Sequence, residues 1–316
     1  MPMTKAKTIW MNGKWVPWDE ARIHVLTHAM HYGSSVFEGI RAYDTPKGPA
    51  VFRLEEHVDR LMFSARVYRM EKEMGFTRDQ IRDACVQAVA VNDLKDCYIR
   101  PLVYRGFEHM GVNPFGNPVD VVIAAFVWGQ YLGKDALEKG SAVKIGTWHR
   151  MAPNTLPAMV KASANYMNSQ LLKMEAVVEG YDEAIALDIH GYVSEGSGQN
   201  VFAVVKGEIV TPLLSNSVLA GITRDSIITL AREMGHTVRE MSMPREMLYM
   251  ADEVFYTGTA VEVSPITSVD KIPVGTGAVG AVTKALQKAF FATVRGDVPD
   301  KHGWLTLVPQ GAGAAR

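Results

Sequence analysis

Lys161 stands in "VKASANYMNSQ" among small residues, and the charged residues closest to it in sequence are the like-charged Arg150 and Lys173. A lysine amine is a nucleophile only when deprotonated, and its free pKa is about 10.4. Burial without a counter-charge lowers that value by up to roughly 3–5 units, so small apolar neighbours suit a lysine that bonds to a carbonyl compound. The bland alternative is a lysine at a loop surface, the usual place for that residue. Two further segments weigh against it. Glu195 in "GYVSEGSGQNVF" ends a strand and enters a glycine-rich turn, where a carboxylate can pair with a protonated ring nitrogen. "LAGITRDS" puts Gly221, Ile222 and Thr223 at a helix start, whose free N–H groups and dipole suit a phosphate. "YTGTAVE" adds a small hydroxyl-bearing turn at Thr257 to Ala260. Lysine, carboxylate and phosphate cup together describe a pyridoxal phosphate site.

Other motifs invite chemistry and fail on context. "GTGAVG", Gly275 to Gly280, fits the GxGxxG dinucleotide pattern, but too little chain follows for a second parallel strand carrying an acid. His24, His28 and His31 could stack on one helix face, yet Gly33 breaks the segment and no HExxH follows; they read as polar residues of a loop or interface rather than metal ligands. "SVDK", Ser268 to Lys271, lacks the companions of a serine–lysine nucleophile and reads as a solvated turn. Cys85 and Cys97 form no CxxC pair and no disulfide framework.

These residues need elements to hold them. "TIWMNGKWVPW" reads as a hairpin turning at Asn12-Gly13. "RLEEHVDRLMFSARVYRM" carries Leu54, Val58, Leu61, Ala65 and Tyr68 at helical spacing, and Thr77 caps a second helix in "TRDQIRDACVQAVAVND". "CYIRPLVYR" and "VDVVIAAFVW" are strands, giving a small α+β domain over 1–128. "GQYLGKDALEKG" supplies an interdomain loop, 129–136, before a larger domain over 137–316. That domain begins with the strand "SAVKIGTW" and a loop containing Pro153 and Pro157; after Lys161, Met167, Leu171, Met174 and Val178 mark the apolar stripe of a helix. Residues 181–213 read as consecutive strands between glycine turns, "TRDSIITLAREMG" as a helix, "ADEVFYTGTAVEVSPI" as strand–turn–strand, and "AVTKALQKAFFATV" as a closing helix.

The 316 residues are enough for two cores. Hydrophobic residues make up 47% and charged residues 21%, and 33 basic against 34 acidic side chains argue against a dedicated nucleic-acid or anionic-membrane binder. No signal-peptide core and no run of membrane-spanning length stand out, so the sequence reads as cytoplasmic.

From "NGKWVPWDEARIHVLTHAMHYGSSVFEGIRAY" through "YIRPLVY", "GVNP", "APNTLPAMVKASANY", "YVSEGSGQN" and "LAGITRDS" to "DEVFYTGTAVEVSPI", the chain resembles the branched-chain amino acid aminotransferases of the type IV pyridoxal-phosphate fold. "VSEGSGQNVF" and the lysine segment carry the resemblance most specifically. It implies a two-domain α/β (α+β) fold, small N-terminal α+β and larger C-terminal α/β, with the cofactor between the domains. It also implies transfer of the amino group between L-leucine, L-isoleucine or L-valine and 2-oxoglutarate.

Residue by residue, the resemblance makes Lys161 the amine that holds the cofactor and shuttles the substrate's α-proton. Tyr166 would donate to the cofactor's phenolic oxygen, and Glu195 would bind its ring nitrogen beside Gly198. Arg60, the backbone of Ile222 and Thr223, and Thr259 would hold its phosphate; spacing alone puts Arg60 on a solvated helix face, and the family match reverses that. Phe37, Tyr32, Trp128, Tyr131, Tyr166 and Val112 would line the apolar side of the substrate site. Arg100 would take the side-chain carboxylate of glutamate, with Tyr98 and the Thr259–Ala260 backbone at the α-carboxylate. Tyr32 and Val112 are positions reached across a subunit interface, so the resemblance implies a homodimer at least, with a hexamer open. No metal, nucleic acid or membrane partner is implied.

Ser197 and Gln199 stand where many relatives have alanine and glutamate, and Ala164 where glycine is common. The rival readings are a D-amino acid or (R)-amine transaminase, an aminodeoxychorismate lyase, a non-catalytic pyridoxal phosphate binder, and a nicotinamide dehydrogenase. "YIRP" speaks against the first two, and the presence of Tyr98, Arg100 and Thr259 against the non-catalytic binder.

Overall fold

The computed structural model describes residues 3–129 and 135–309. The chain groups into two compact units: Met1–Gly129 with Val160–Ala164 and Ala292–Arg316, and Gln130–Met159 with Asn165–Phe291. The sequence reading gave everything after residue 136 to the second domain. Backbone pairing returns two stretches to the first unit: residues 160–164 lie along a strand there, and Leu305–Leu307 pairs with another.

In the first unit, β1 (Thr8–Met11) and β2 (Lys14–Pro17) are joined by Asn12 and Gly13 at φ 47° and 86°, the two positive values of a tight hairpin turn. There follow α1 (His28–Tyr32), β3 (Ser35–Phe37), β4 (Ile40–Thr45) and β5 (Gly48–Phe52). Helices α2 (Leu54–Val67) and α3 (Arg78–Ala90) precede the long strands β6 (Cys97–Arg105) and β7 (Val119–Phe126). Thr77 and Gln80 close a capping box at the start of α3. All strand pairings are antiparallel, in the order Leu305–Leu307, β5, β4, β6, β7, β1, β2, with β3 also on β6. Leu54, Val58, Leu61 and Ala65 of α2 and Ile81, Cys85 and Val89 of α3 share one core with Ile40, Ile99, Val121 and Ile123 of the sheet. Each buried valine, leucine or isoleucine among them contributes about 1.5–3 kcal/mol by leaving water, which fixes α2 firmly against the sheet.

The second unit opens with α4 (Ala136–Lys139), a single turn that starts at the last residue of the stretch read as a loop, tied by a 2.7 Å Asp135–Lys139 ion pair. Then come β8 (Ser141–Ile145), α5 (Asn165–Val178), β9 (Glu183–Leu187), β10 (Val193–Gly196), β11 (Asn200–Val205) and β12 (Glu208–Thr211). They are followed by α6 (Ile222–Glu233), β13 (Val238–Glu240), α7 (Met247–Met250), β14 (Glu253–Gly258), β15 (Glu262–Val269), β16 (Ile272–Pro273) and α8 (Ala281–Val294). The sheet is mixed, in the order β10-β9-β8-β15-β14-β11-β12-β13, and parallel only at β9/β8, β8/β15 and β12/β13.

The period expected for α5 holds, but the buried face is different. Met167, Met174 and Val178 are 60%, 53% and 86% exposed, while Asn165, Ser169, Leu172 and Ala176 are buried. Leu172 and Ala176 meet Ala184 and Ala186 of β9, small side chains that let helix and sheet approach closely. The buried Lys144 of β8 is ion-paired to Glu175 of the same helix and to Glu179 just beyond its end, which locks that face inward. Among the described residues, no helix is long and apolar enough to cross a membrane.

Candidate active site

Residues 160–164 run antiparallel to β3. The Phe37 N–H donates to the Lys161 carbonyl at 3.0 Å and the Ser163 N–H to the Ser35 carbonyl at 2.9 Å, with Val36 bridged to Ala162 between them. The Ser35 hydroxyl donates to Ser163 Oγ at 2.7 Å, and the Lys161 N–H donates to Ser64 Oγ of α2 at 3.3 Å. Val160 and Ala162 are buried in the first unit's core, so strand alternation turns the Lys161 side chain the other way. It is half-buried, its Nζ 5.2 Å from the centre of the Phe37 ring. The small neighbours of Lys161 therefore signal a backbone anchored in the core, with the amine turned away from it.

Arg60 is not on a solvated face. Glu38, fully buried between Phe37 and Gly39, accepts from Arg60 Nε at 2.6 Å on one oxygen and from Nη2 at 2.8 Å on the other. His57 Nδ1 lies 2.8 Å from the second oxygen. Burial pushes the Glu38 carboxyl up, but the charge and hydrogen bonds of Arg60, with His57, hold it far below the usual carboxylate range. Burial lowers His57, and the positive charges of Arg60 and Lys161 lower it further against the pull of Glu38. An ionised carboxylate only accepts, so a neutral His57 carries its proton on Nδ1.

Phe37, Tyr98, Arg100 and Trp128 come together in the same unit. The Arg100 guanidinium carbon lies 4.6 Å from the Phe37 ring centre and 5.3 Å from that of Tyr98. Tyr98 packs edge-on against Trp128 at 4.8 Å and is buried, its hydroxyl filling the space a side chain at Gly39 would take. Tyr32 and Val112 are 42% and 87% exposed; the Gly111 N–H donates to the Tyr32 hydroxyl at 3.1 Å. Tyr131 lies outside the described residues.

In the second unit, Glu195 ends β10 and is buried. Arg150 Nη2 donates to one of its oxygens at 2.8 Å; Asn200 Nδ2 at 3.2 Å and the Leu219 N–H at 3.0 Å donate to the other. Arg150, itself buried, is steadied by Asn168 Oδ1 at 2.8 Å. Gly221 caps α6 ahead of the buried Ile222 and Thr223, and a Cβ at Gly221 would lie 1.8 Å from Asn200 Oδ1. Gly198, exposed, donates its N–H to Gln199 Oε1 at 2.6 Å, and Gln199 donates to the buried Glu183 at 2.9 Å. Thr259 and Ala260 form the half-buried turn between β14 and β15, and Tyr166 is half-buried in the first turn of α5.

The decoy motifs have structural partners. The N-terminus of α8, just past "GTGAVG", is filled by the Glu253 carboxylate, which accepts from the Val282 and Thr283 N–H groups at 2.9 and 2.7 Å. His28 is buried, bonded to Ser34 and to the Gly111 carbonyl; His24 stacks on Phe107. In "SVDK", Asp270 and Lys271 form the turn from β15 to β16.

A family model described as amino-transferase class IV matches residues 35–269. The chain belongs to the class IV amino-transferase family. The branched-chain-amino-acid aminotransferase of Escherichia coli (strain K12) is 51% identical over 311 residues, covering 98% of this chain and 100% of that protein. The Pseudomonas aeruginosa enzyme of the same name is 46% identical, covering 95% and 97%. The crystal structure of the E. coli enzyme superposes with a TM-score of 0.94 at 51% identity, over 96% of this chain and 100% of that one. That of the branched-chain amino acid aminotransferase from Thermobaculum terrenum, in its PLP-form, gives 0.89 at 35% identity, over 96% and 99%.

Within this class IV chain, sequence reasoning passed over Glu38, His57, Ser64, Arg150 and Asn200. His57 and Ser64 left a trace, being polar residues on the apolar stripe of α2, the helix that also carries Arg60. Asn200 sits inside the quoted "SEGSGQNVF". Glu38 and Arg150 left none, since each meets its partner far along the chain.

Proposed function

We propose that this chain is a pyridoxal-phosphate-dependent branched-chain amino acid aminotransferase, exchanging the amino group between L-leucine, L-isoleucine or L-valine and 2-oxoglutarate. What carries the reading is Lys161, an amine on a core-anchored backbone in a chain 51% identical along nearly its whole length to the E. coli enzyme. The donor set fits the cofactor. A buried carboxylate, Glu195, is paired with Arg150 and suits a protonated ring nitrogen. The start of α6 is kept clear of side chains at Gly221, and Thr257 Oγ1 is buried with no hydrogen-bond partner among the described residues.

Pyridoxal phosphate, when bound, supplies the electron sink that makes the substrate's α-proton removable. Lys161 Nζ would hold the cofactor and move that proton. Glu195, its charge stabilised by Arg150, would keep a proton on the ring nitrogen. Arg60, the N–H groups of Ile222 and Thr223, and Thr259 would bind the phosphate, and Tyr166 would donate to the phenolic oxygen, with Gly198 as a further cofactor-binding position. The Arg100 guanidinium lies over the Phe37 and Tyr98 rings, and its N–H groups would take the γ-carboxylate of glutamate. Phe37, Tyr32, Trp128 and Val112 would line the apolar side, and Tyr98 with the Thr259–Ala260 backbone would orient the α-carboxylate. Tyr32 and Val112, exposed beside Val25, Met30 and Met110, fit an apolar face covered by a second copy in a cytoplasmic homodimer or larger homo-oligomer.

An absorption spectrum of the purified protein tests this. L-Leucine bleaches the cofactor band near the visible, 2-oxoglutarate restores it, and D-alanine leaves it unchanged. A response to D-alanine alone moves the assignment to a D-amino acid transaminase, and no band after addition of pyridoxal phosphate refutes the role of Lys161.

A further inference from the structure

From the Glu38–Arg60–His57 cluster we infer that Glu38 is a positioning residue: it aims the Arg60 guanidinium at the cofactor phosphate, and His57 holds Glu38 in turn. This rests on the reading of Arg60 as a phosphate ligand.

Glu38 receives the Nε and Nη2 edge of Arg60 on its two oxygens, at 2.6 and 2.8 Å. That side-on fork fixes the plane of the guanidinium, not merely its distance, and it leaves the Nη1 side turned away from Glu38. A single-point contact would let the long arginine side chain rotate; a two-point contact to a residue with 0% exposure does not. His57 Nδ1 adds a third bond at 2.8 Å, so the carboxylate cannot swing to follow Arg60. His57 and Ser64 flank Arg60 on the buried side of α2, and Ser64 accepts the Lys161 N–H. One helix therefore sets the arginine and the backbone of the reactive lysine in register.

A buried ion pair is an expensive way to fill a core, because desolvation of each charge costs several kcal/mol and apolar residues of similar volume often stabilise more. Fixing an anion-binding fork accounts for its presence here. With His57 neutral, Glu38 cancels the charge of Arg60, so a bound phosphate would meet an oriented set of N–H donors rather than an uncompensated charge.

The test compares two probes on enzyme freed of cofactor: pyridoxal phosphate, and pyridoxal, which lacks the phosphate. Dissociation constants are read from the absorbance or fluorescence change on titration. In Glu38→Gln the amide must turn a donor toward Arg60 or His57, so pyridoxal phosphate binds at least tenfold more weakly while pyridoxal changes less than twofold. His57→Asn keeps an N–H near the Nδ1 position and changes both by less than threefold. Equal loss for both probes in Glu38→Gln marks a merely structural role and overturns the inference. If Arg60→Lys weakens pyridoxal phosphate binding but Glu38→Gln does not, the inference fails and the role of Arg60 stands. If Arg60→Lys leaves pyridoxal phosphate binding intact, the role of Arg60 itself fails. Should Glu38→Gln not fold, Glu38→Asp, which withdraws the carboxylate by one methylene, is judged by the same contrast.

Discussion

Replacing Arg150 by methionine keeps most of the side chain's bulk and removes its charge, leaving Glu195 buried without its guanidinium partner. The 2.8 Å contact joins two side chains that are 6% and 7% exposed, so water screens the pair little. Removing one partner of such a pair costs about 3–5 kcal/mol, because the remaining charge is left uncompensated. Asn200 and the Leu219 N–H still donate to Glu195 and keep the cost toward the lower end. The double variant Arg150→Met/Glu195→Gln leaves no buried charge at the pair and is expected to lose less than about 2 kcal/mol. Glu195→Gln alone strands the buried Arg150 charge in the same way and costs about 3 kcal/mol, so the two single losses together exceed that of the double variant by about 4 kcal/mol, well above the roughly 0.5 kcal/mol of independent sites. Urea unfolding of the four cofactor-free proteins, at matched protomer concentration and compared only where slopes agree, measures it. A coupling under 0.5 kcal/mol would show that Glu195 does not depend on Arg150, and the account of how its charge is held would be wrong.

Gly221→Ala brings a Cβ within 1.8 Å of Asn200 Oδ1. Asn200 must shift and release Glu195, which lowers stability by about 1–3 kcal/mol and weakens cofactor binding; a wild-type unfolding midpoint would contradict this. Gly39→Ala drives its Cβ into the Tyr98 hydroxyl at 1.8 Å. Displacing Tyr98 should cost about tenfold or more in kcat/KM for L-leucine, measured by coupled assay, with the cofactor still bound. His57 titrates below its ordinary 6.5 in the fold. The unfolded chain therefore takes up the proton first, and stability falls as pH drops below 6.5, by at most about 1.4 kcal/mol per unit. Glu38, pushed up by burial but pulled further down by Arg60 and His57, extends the loss below 4.5. In His57→Asn the decline between pH 6.5 and 5 should flatten; an unchanged slope refutes the assignment.

Short-range features were legible in the sequence because their causes are local. Asn12-Gly13 can hold two positive φ values, Thr77 and Gln80 satisfy each other's backbone within one turn, and the apolar residues of α2 repeat at its period. The order of lysine, carboxylate and helix start was legible because each sits in a recognisable local setting. The face of α5 was not: periodicity reports that a stripe exists, and only the alanines of β9 decide which side packs. Nor was the setting of the charges. Arg60 looks solvated along α2 until Glu38 arrives from the end of β3, and Arg150 sits in a loop with no periodic pattern to mark its reach to Glu195.

The lysine segment, residues 160–164, belongs to the first unit although the chain on both sides of it belongs to the second, and Leu305–Leu307 closes the first unit's sheet beside β5. During synthesis the first 129 residues therefore emerge without the strand that flanks β5 and without the partner that lies along β3. The N-terminal unit is made first and completed last. Its Ser35, Val36 and Phe37 backbone groups wait for residues 160–164, and its sheet edge waits until residue 307 has left the ribosome. A fragment cut at residue 129 would carry Arg60 and Glu38 on an unfinished frame, and the reactive amine would be missing from it altogether.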